Sequence, residues 1–168
     1  MRQKWSKRVA RIGGIILTPL LLMAAPAPTS ESNSYGSAHE ARRLLKDIQQ
    51  DARQVEDRAM RLEDYERAPD LDWGPHIHQL NRIRSAVNDM GRQLSRLQAI
   101  EGPLAPAEQQ AIRDVTPIVQ AMADNTTDAL EHVKTYQGQF WSAPVKASTH
   151  SIESEATELL KTIRADLG

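Results

Sequence analysis

The spacing of apolar residues constrains the fold of this chain more than any other feature. From Ala38 to Leu62, apolar or Ala residues return at alternating steps of three and four over more than three heptads. This spacing predicts an α-helix with one apolar stripe, and three further stretches repeat it. The four stripes comprise Ala38, Ala41, Leu45, Ile48, Ala52, Val55, Ala59 and Leu62; Leu80, Ile83, Val87, Met90, Leu94 and Leu97; Ile112, Val115, Val119, Met122, Thr126, Ala129, Val133 and Tyr136; and Val145, Thr149, Ile152, Ala156, Leu159 and Ile163.

Helix-breaking residues divide the stripes into four predicted helices. Pro69, Pro103 and Gly138 mark the three interruptions. Connections of about five residues make consecutive helices antiparallel. We therefore predict an all-α fold, an up-down-up-down four-helix bundle with left-handed heptad packing, in one domain over 37–168. The predicted helices span 37–67, 73–100, 106–137 and 143–167.

The N-terminal segment differs in composition from the rest of the chain. Residues 1–25 combine a basic start, an apolar run from Ile12 to Met23 and small residues, which predicts a secretory signal peptide. The run falls short of the roughly 20 residues that span a bilayer, although retention as an anchor stays open as an alternative. Residues 26–36, rich in Pro and Ser, predict a flexible leader. We expect a periplasmic or secreted protein with no stable membrane span after cleavage.

Charge and cysteine content exclude several classes of function. Removal of the signal would take the net charge from −1 to about −6, which argues against a nucleic-acid partner because phosphates require a basic face. The chain contains no Cys. Thiol catalysis, zinc–thiolate sites and c-type haem attachment are therefore excluded, and we expect no cofactor.

Most aromatic residues fall where the predicted topology brings two loops together at one end of the bundle. We interpret this end, the aromatic pole, either as a ligand pocket or as a cap that seals the core. On the stripe count His76 faces the core, whereas His78 and His150 face solvent; His76 and His132 are weak candidates for metal ligands. The candidate pole residues are Tyr65, Trp73, His76, His132, Tyr136, Phe140 and Trp141.

Known catalytic and di-iron motifs are missing from the sequence. No Glu precedes a His by three residues, and neither His-Glu-x-x-His nor Gly-x-Ser-x-Gly occurs. We therefore predict no catalytic residue and a function in protein interaction or scaffolding in the cell envelope. The alternative is a carrier of a small ligand or metal at the aromatic pole. The partner is an unknown protein or a second copy, for which residues beside the stripes offer extra apolar width, namely Leu44, Ile118, Leu130 and Leu160.

One stretch of the second predicted helix resembles a known pattern. The run WGPHIHQLNRIRSAVNDMG is similar to Trp-x-x-His-x-x-x-Leu-x-x-Ile-x-x-x-Val-Asn-x-Met-Gly, found in uncharacterised, predicted-secreted helical proteins of bacteria. The resemblance covers about residues 40–135. It implies a helical fold but no activity, and it marks Trp73, His76, Asn88 and Gly91 as positions of interest.

Overall fold

The structure is a computed structural model that describes residues 30–66, 73–136 and 142–167. Four helices account for nearly all of this part of the chain, and it contains no strand. They are α1 (Ser30–Glu66), α2 (Trp73–Ala99), α3 (Pro106–Thr135) and α4 (Ala143–Leu167). None of these helices has an apolar stretch of the length needed to cross a membrane. The predicted all-α four-helix fold is confirmed.

Each helix packs against two neighbours in a ring. The helix α1 contacts α2 and α4, and α3 contacts the same two helices from the other side. Glu40, early in α1, lies 2.8 Å from Arg96 near the end of α2, while Glu63, late in α1, lies 3.5 Å from His150 near the start of α4. The start of α1 thus contacts the end of α2, and the end of α1 contacts the start of α4. The helix α1 therefore runs antiparallel to both neighbours, as predicted.

The predicted stripes form the core. Every stripe residue is buried except Ala38, which is half-buried, and Tyr136, which is exposed at the end of α3. Each fully buried Leu, Ile or Val side chain contributes about 1.5–3 kcal/mol to folding. Thr126, a polar residue in this core, donates its hydroxyl hydrogen bond to the Met122 carbonyl at 2.7 Å. Apolar burial therefore holds the cysteine-free chain together.

The first helix begins earlier than the sequence predicts. It starts at Ser30, so residues 30–36, expected to belong to a flexible leader, are helical. Extending a nucleated helix by one residue costs little, and no Pro occurs between Pro28 and Pro69 to stop it. Tyr35 is 80% exposed in this extension. The predicted signal peptide and residues 26–29 lie outside the described residues, and the other helix limits agree with prediction within two positions.

The apolar residues beside the stripes do not form an external surface, which corrects one prediction. Leu44, Leu130 and Leu160 are buried, and Ile118 is half-buried against the core. A helix in a four-helix bundle contacts neighbours on both sides, so its buried face is wider than a two-residue heptad stripe. The expectation that these four residues add apolar width to an external face is therefore wrong.

Candidate functional site

Two of the predicted pole residues meet where α1 ends and α2 begins. His76 is 3% exposed, as its stripe position predicts, whereas His78 is exposed. The Tyr65 and His76 ring centroids lie 5.3 Å apart with the ring planes 66° apart. This edge-to-face contact is a favourable arrangement for two aromatic rings. The contact joins the last turns of α1 to the first turn of α2.

A second pair of pole residues lies near the end of α3. The His132 and Tyr136 ring centroids are 4.6 Å apart, and Tyr136 is 49% exposed. They line an open groove of about 470 Å³ together with Asp128, Glu131 and Pro144. The described ring contacts therefore group the histidines and tyrosines of the pole as two pairs.

The structure describes only part of the remaining pole residues, Trp73, Phe140 and Trp141. Trp73 is the first residue of α2, and the structure describes its backbone without its side chain. Phe140 and Trp141 lie outside the described residues. The choice between a ligand pocket and an aromatic cap therefore stays a prediction.

A set of metal-ligand side chains occurs elsewhere, across the outer edge of α1 and α4. Glu63, His150 and Glu153 offer ligand atoms that all lie within 4.8 Å of one another. Among the residues the structure describes, neither His76 nor His132 belongs to a set of three such donors. We call the three residues the α1–α4 cluster. The His-x-x-Glu spacing within α4 is visible in the sequence, but the contribution of Glu63 depends on the register between two distant helices.

The charges of the α1–α4 cluster are predominantly negative. Partial burial raises the pKa of the Glu153 carboxyl, and a hydrogen bond with Glu63 together with the charges of Glu63 and Glu56 raises it further. The charge of His150 acts in the opposite direction. Thr157 donates a hydrogen bond to Glu56 at 2.9 Å beside the cluster. The site therefore favours a positive charge among its carboxylates.

A second open feature, the α2–α3 groove, runs between the second half of α2 and the middle of α3 and measures about 470 Å³. Two small, half-buried residues, Gly91 on α2 and Ala123 on α3, lie along it. A Cβ added at Gly91 would meet no atom within 4 Å. The lining also includes the buried Val87, Leu94 and Val119 and the exposed Asn88, Arg92, Ser95, Gln98 and Gln120. The sequence singles out Gly91 only through the bacterial pattern and does not predict the groove.

Comparison with known proteins identifies no relative of this chain. No protein-family model, no curated protein and no solved structure matches it.

Proposed function

We propose that the chain is an exported protein that acts in the cell envelope by protein interaction rather than catalysis, and that it self-associates through the α2–α3 groove. A second copy of the chain is the occupant of this groove. The observation that carries the proposal is the open space at Gly91 in the interior of α2.

Gly91 weakens its helix without improving the packing of its own chain. Gly in a helix interior costs about 0.5–1 kcal/mol relative to Ala. Where a Gly allows close packing, a Cβ at that position would clash with a neighbour, but at Gly91 it would meet open space. A side chain from a second copy can enter this space and pack on Val87 and Leu94.

The charges on the two sides of the groove favour pairing with an identical surface. The side chains of Arg84 and Arg92 are exposed on α2, and that of Asp124 is exposed on α3 next to Ala123, which lines the groove. Within the described residues, an ion pair joins Arg96 of α2 to Glu40 of α1, and Arg92 pairs with Asp89 inside α2, but no ion pair joins α2 to α3. A two-fold axis parallel to the helices sets the basic α2 of one copy opposite the acidic α3 of the other, and such isologous pairing is the commonest form of assembly.

The face formed by α2 and α3 is large enough for a stable dimer. A helix of 27 residues is about 40 Å long, and two adjacent helices are about 20 Å wide. Their face offers about 800 Å², the area per partner in a specific interface of standard size. Filling the groove would add apolar contact at its centre.

The exported location rests on the N-terminal sequence. A basic start, a short apolar run and small residues together are typical of a signal peptide. Fusing residues 1–29 to a reporter that is active only outside the cytoplasm tests this, and we expect activity. Replacing the basic residues of the first 11 positions with Gln should lower export, and an inactive wild-type fusion would contradict the proposal.

Sedimentation velocity of the purified chain, from micromolar to sub-millimolar concentration, tests self-association. We expect a monomer–dimer equilibrium that weakens as salt is raised, because the paired charges are solvent-exposed. Gly91→Trp fills the groove from within its own chain. It should weaken the dimer at least tenfold, because the bulky ring occupies the space that the second copy needs.

Gln50→Trp provides the matched control, since Gln50 is exposed on α1. This variant should dimerise like the wild type. A wild-type chain that stays monomeric throughout, or a Gly91→Trp chain that dimerises as well as the wild type, would rule out the groove as the interface.

The second candidate function is a small-ligand or metal carrier at the aromatic pole. The buried His76 against the Tyr65 ring supports it, since a polar side chain there lies next to aromatic surface. A ligand that binds the native state must raise the melting temperature. Melting the mature protein with excess haem, and a His150→Gln variant with excess zinc so that the α1–α4 cluster does not contribute, tests this candidate. The absence of any shift would eliminate it.

A further inference from the structure

We propose that Glu63, His150 and Glu153 form a surface binding site for a first-row divalent transition metal ion such as Zn²⁺, bridging α1 and α4. The site is separate from the α2–α3 groove and does not depend on self-association. It is also distinct from the pole histidines His76 and His132.

The distances between the ligand atoms suit a tetrahedral ion. His150 Nδ1 lies 3.5 Å from Glu63 Oε1 and 3.8 Å from Glu153 Oε2. When ligand bonds are about 2.1 Å long, tetrahedral geometry separates the donor atoms by about 3.4 Å. The Glu63 and Glu153 ligand atoms lie within 4.8 Å of each other, so side-chain rotations that bring all three donor atoms to this spacing would complete three of four ligand positions. Water would supply the fourth.

Helix geometry presents the three donors from two packed elements. His150 and Glu153 are three residues apart on α4 and therefore lie on one face. Glu63 approaches from α1, which packs directly against α4. The same two helices are also joined one level further along by the bond from Thr157 to Glu56, so their register at the cluster is supported on one side. The backbone therefore needs no rearrangement to receive the ion.

The chemistry of the donors favours a transition metal over Mg²⁺ or Ca²⁺. Imidazole nitrogen is a good ligand for Zn²⁺ and its neighbours, whereas Mg²⁺ and Ca²⁺ prefer six or more oxygens. A divalent ion would also balance the two carboxylates of Glu63 and Glu153, whose ligand atoms lie with that of His150 within 4.8 Å of one another.

The cluster is accessible to an incoming ion. The His150 side chain is 77% exposed, while those of Glu63 and Glu153 are 31% and 26% exposed. An open groove of about 440 Å³ on α4, lined by His150, Glu153, Ser154 and Thr157, leads to it. This exposure also means that substitutions at the cluster leave the buried core in place.

Calorimetric titration of the metal-free mature protein with ZnCl₂ at neutral pH tests the proposal. We expect one ion per chain, and MgCl₂ in excess should not compete. His150→Gln, Glu63→Gln and Glu153→Gln should each weaken zinc binding at least tenfold, because each removes one ligand of a three-residue site. Circular dichroism verifies that the variants keep their helices.

His78→Gln is the matched control, because His78 is likewise an exposed helical histidine. It should bind zinc as the wild type does, and so should His132→Gln. Binding that survives His150→Gln, binding lost in His132→Gln, or no zinc binding by the wild-type chain would each overturn the proposal. Replacing Zn²⁺ with Co²⁺ provides a second readout, since tetrahedral coordination gives strong visible absorption that should disappear in Glu153→Gln.

Discussion

The two sides of α2 are packed differently. Toward α1, side-chain hydrogen bonds between described residues cross the interface, from Arg58 to Gln79 at 3.2 Å, from Gln93 to Asp51 at 3.0 Å and from Arg96 to Glu40 at 2.8 Å.

Toward α3, the small residues Gly91 and Ala123 leave the α2–α3 groove open. Both sides share the same core stripe, so hydrophobic spacing alone does not distinguish them. The residues beside the stripe distinguish the two sides, because their size determines whether two helices pack closely or leave space for a partner.

Two leucines on α2 provide the largest expected contrast. Leu97 is fully buried, whereas Leu94 is 5% exposed and lines the groove. Leu97→Ala should cost about 3–5 kcal/mol of unfolding free energy, since it leaves an enclosed cavity. Leu94→Ala should cost at least about 1 kcal/mol less, because water can enter the space it leaves.

Urea unfolding of the two variants at equal protein concentration measures this contrast. Met60→Ala, at a position 42% exposed, provides a baseline that we expect to lie within about 0.5 kcal/mol of the wild type. Equal losses for Leu97→Ala and Leu94→Ala would show that the groove is closed in solution.

Enlarging a small residue on each side of α2 should have opposite effects. Ala86 is 6% exposed, whereas Gly91 faces open space. Ala86→Leu should destabilise the fold by about 1–3 kcal/mol through overpacking. Gly91→Leu should stabilise the monomer by about 0.5–1 kcal/mol, since Leu is the better helix former.

Thermal melting at low concentration, where the monomer dominates, measures both variants. Gly91→Ala separates the effect of helix propensity from that of side-chain bulk, and it should be at least as stable as Gly91→Leu. A Gly91→Leu chain that melts below the wild type would show that something already occupies the groove.

The interface between α1 and α2 contains a carboxyl group, that of Asp51, whose charge lowers the stability of the fold at neutral pH. Partial burial raises the pKa of the Asp51 carboxyl, only partly offset by the hydrogen bond from Gln93. The folded state therefore binds this proton more tightly than the unfolded chain. This tighter proton binding stabilises the fold fully at a pH below the ordinary pKa of 3.8. The stabilisation is lost as the pH rises through the pKa that Asp51 has in the folded state.

Asp51→Asn keeps an oxygen for Gln93 and should therefore stabilise the protein by less than about 1 kcal/mol at neutral pH. Unfolding curves at neutral pH and below the ordinary pKa measure the difference. The gain should vanish in acid. A gain of equal size at both pH values would assign the effect to something other than the charge of Asp51.

The smallest expected effect comes from the exposed ion pair between α1 and α2. The Arg96 and Glu40 side chains are 58% and 39% exposed. Arg96→Ala should cost less than about 1 kcal/mol, and high salt should abolish the difference. Melting at low and high salt measures it, with Arg53→Ala, at an exposed position of α1, as the control. A large, salt-independent loss would mean that the pair is more than a surface contact.

The sequence predicts the bundle well because core burial follows directly from spacing. Leu45 and Ile152 lie far apart in the chain, yet each is buried for the same reason, its place in a three-four repeat. The start of α1 is not predicted, because extending a helix into solvent depends on small propensity differences rather than on a stripe.

The candidate sites are less predictable because they depend on pairs of helices. In the sequence alone, Gly91 indicates only a residue that weakens its helix. The open space around it depends on Ala123 of α3, which only the structure places beside it. In the same way, His150 and Glu153 gain a third ligand only when α1 and α4 align so that Glu63 is opposite them. Stripe spacing does not determine such alignments to the accuracy that a ligand site requires.

Because the chain contains no Cys, single introduced cysteines give the most direct test of the dimer across the α2–α3 groove. Ser95→Cys on α2 and Gln120→Cys on α3 lie on opposite rims. We predict that an equimolar mixture of the two oxidises to a disulfide-linked pair faster than either variant alone, since the two-fold axis sets α2 opposite α3. A mixture that crosslinks no faster than Gln50→Cys, placed on exposed α1, would contradict this arrangement.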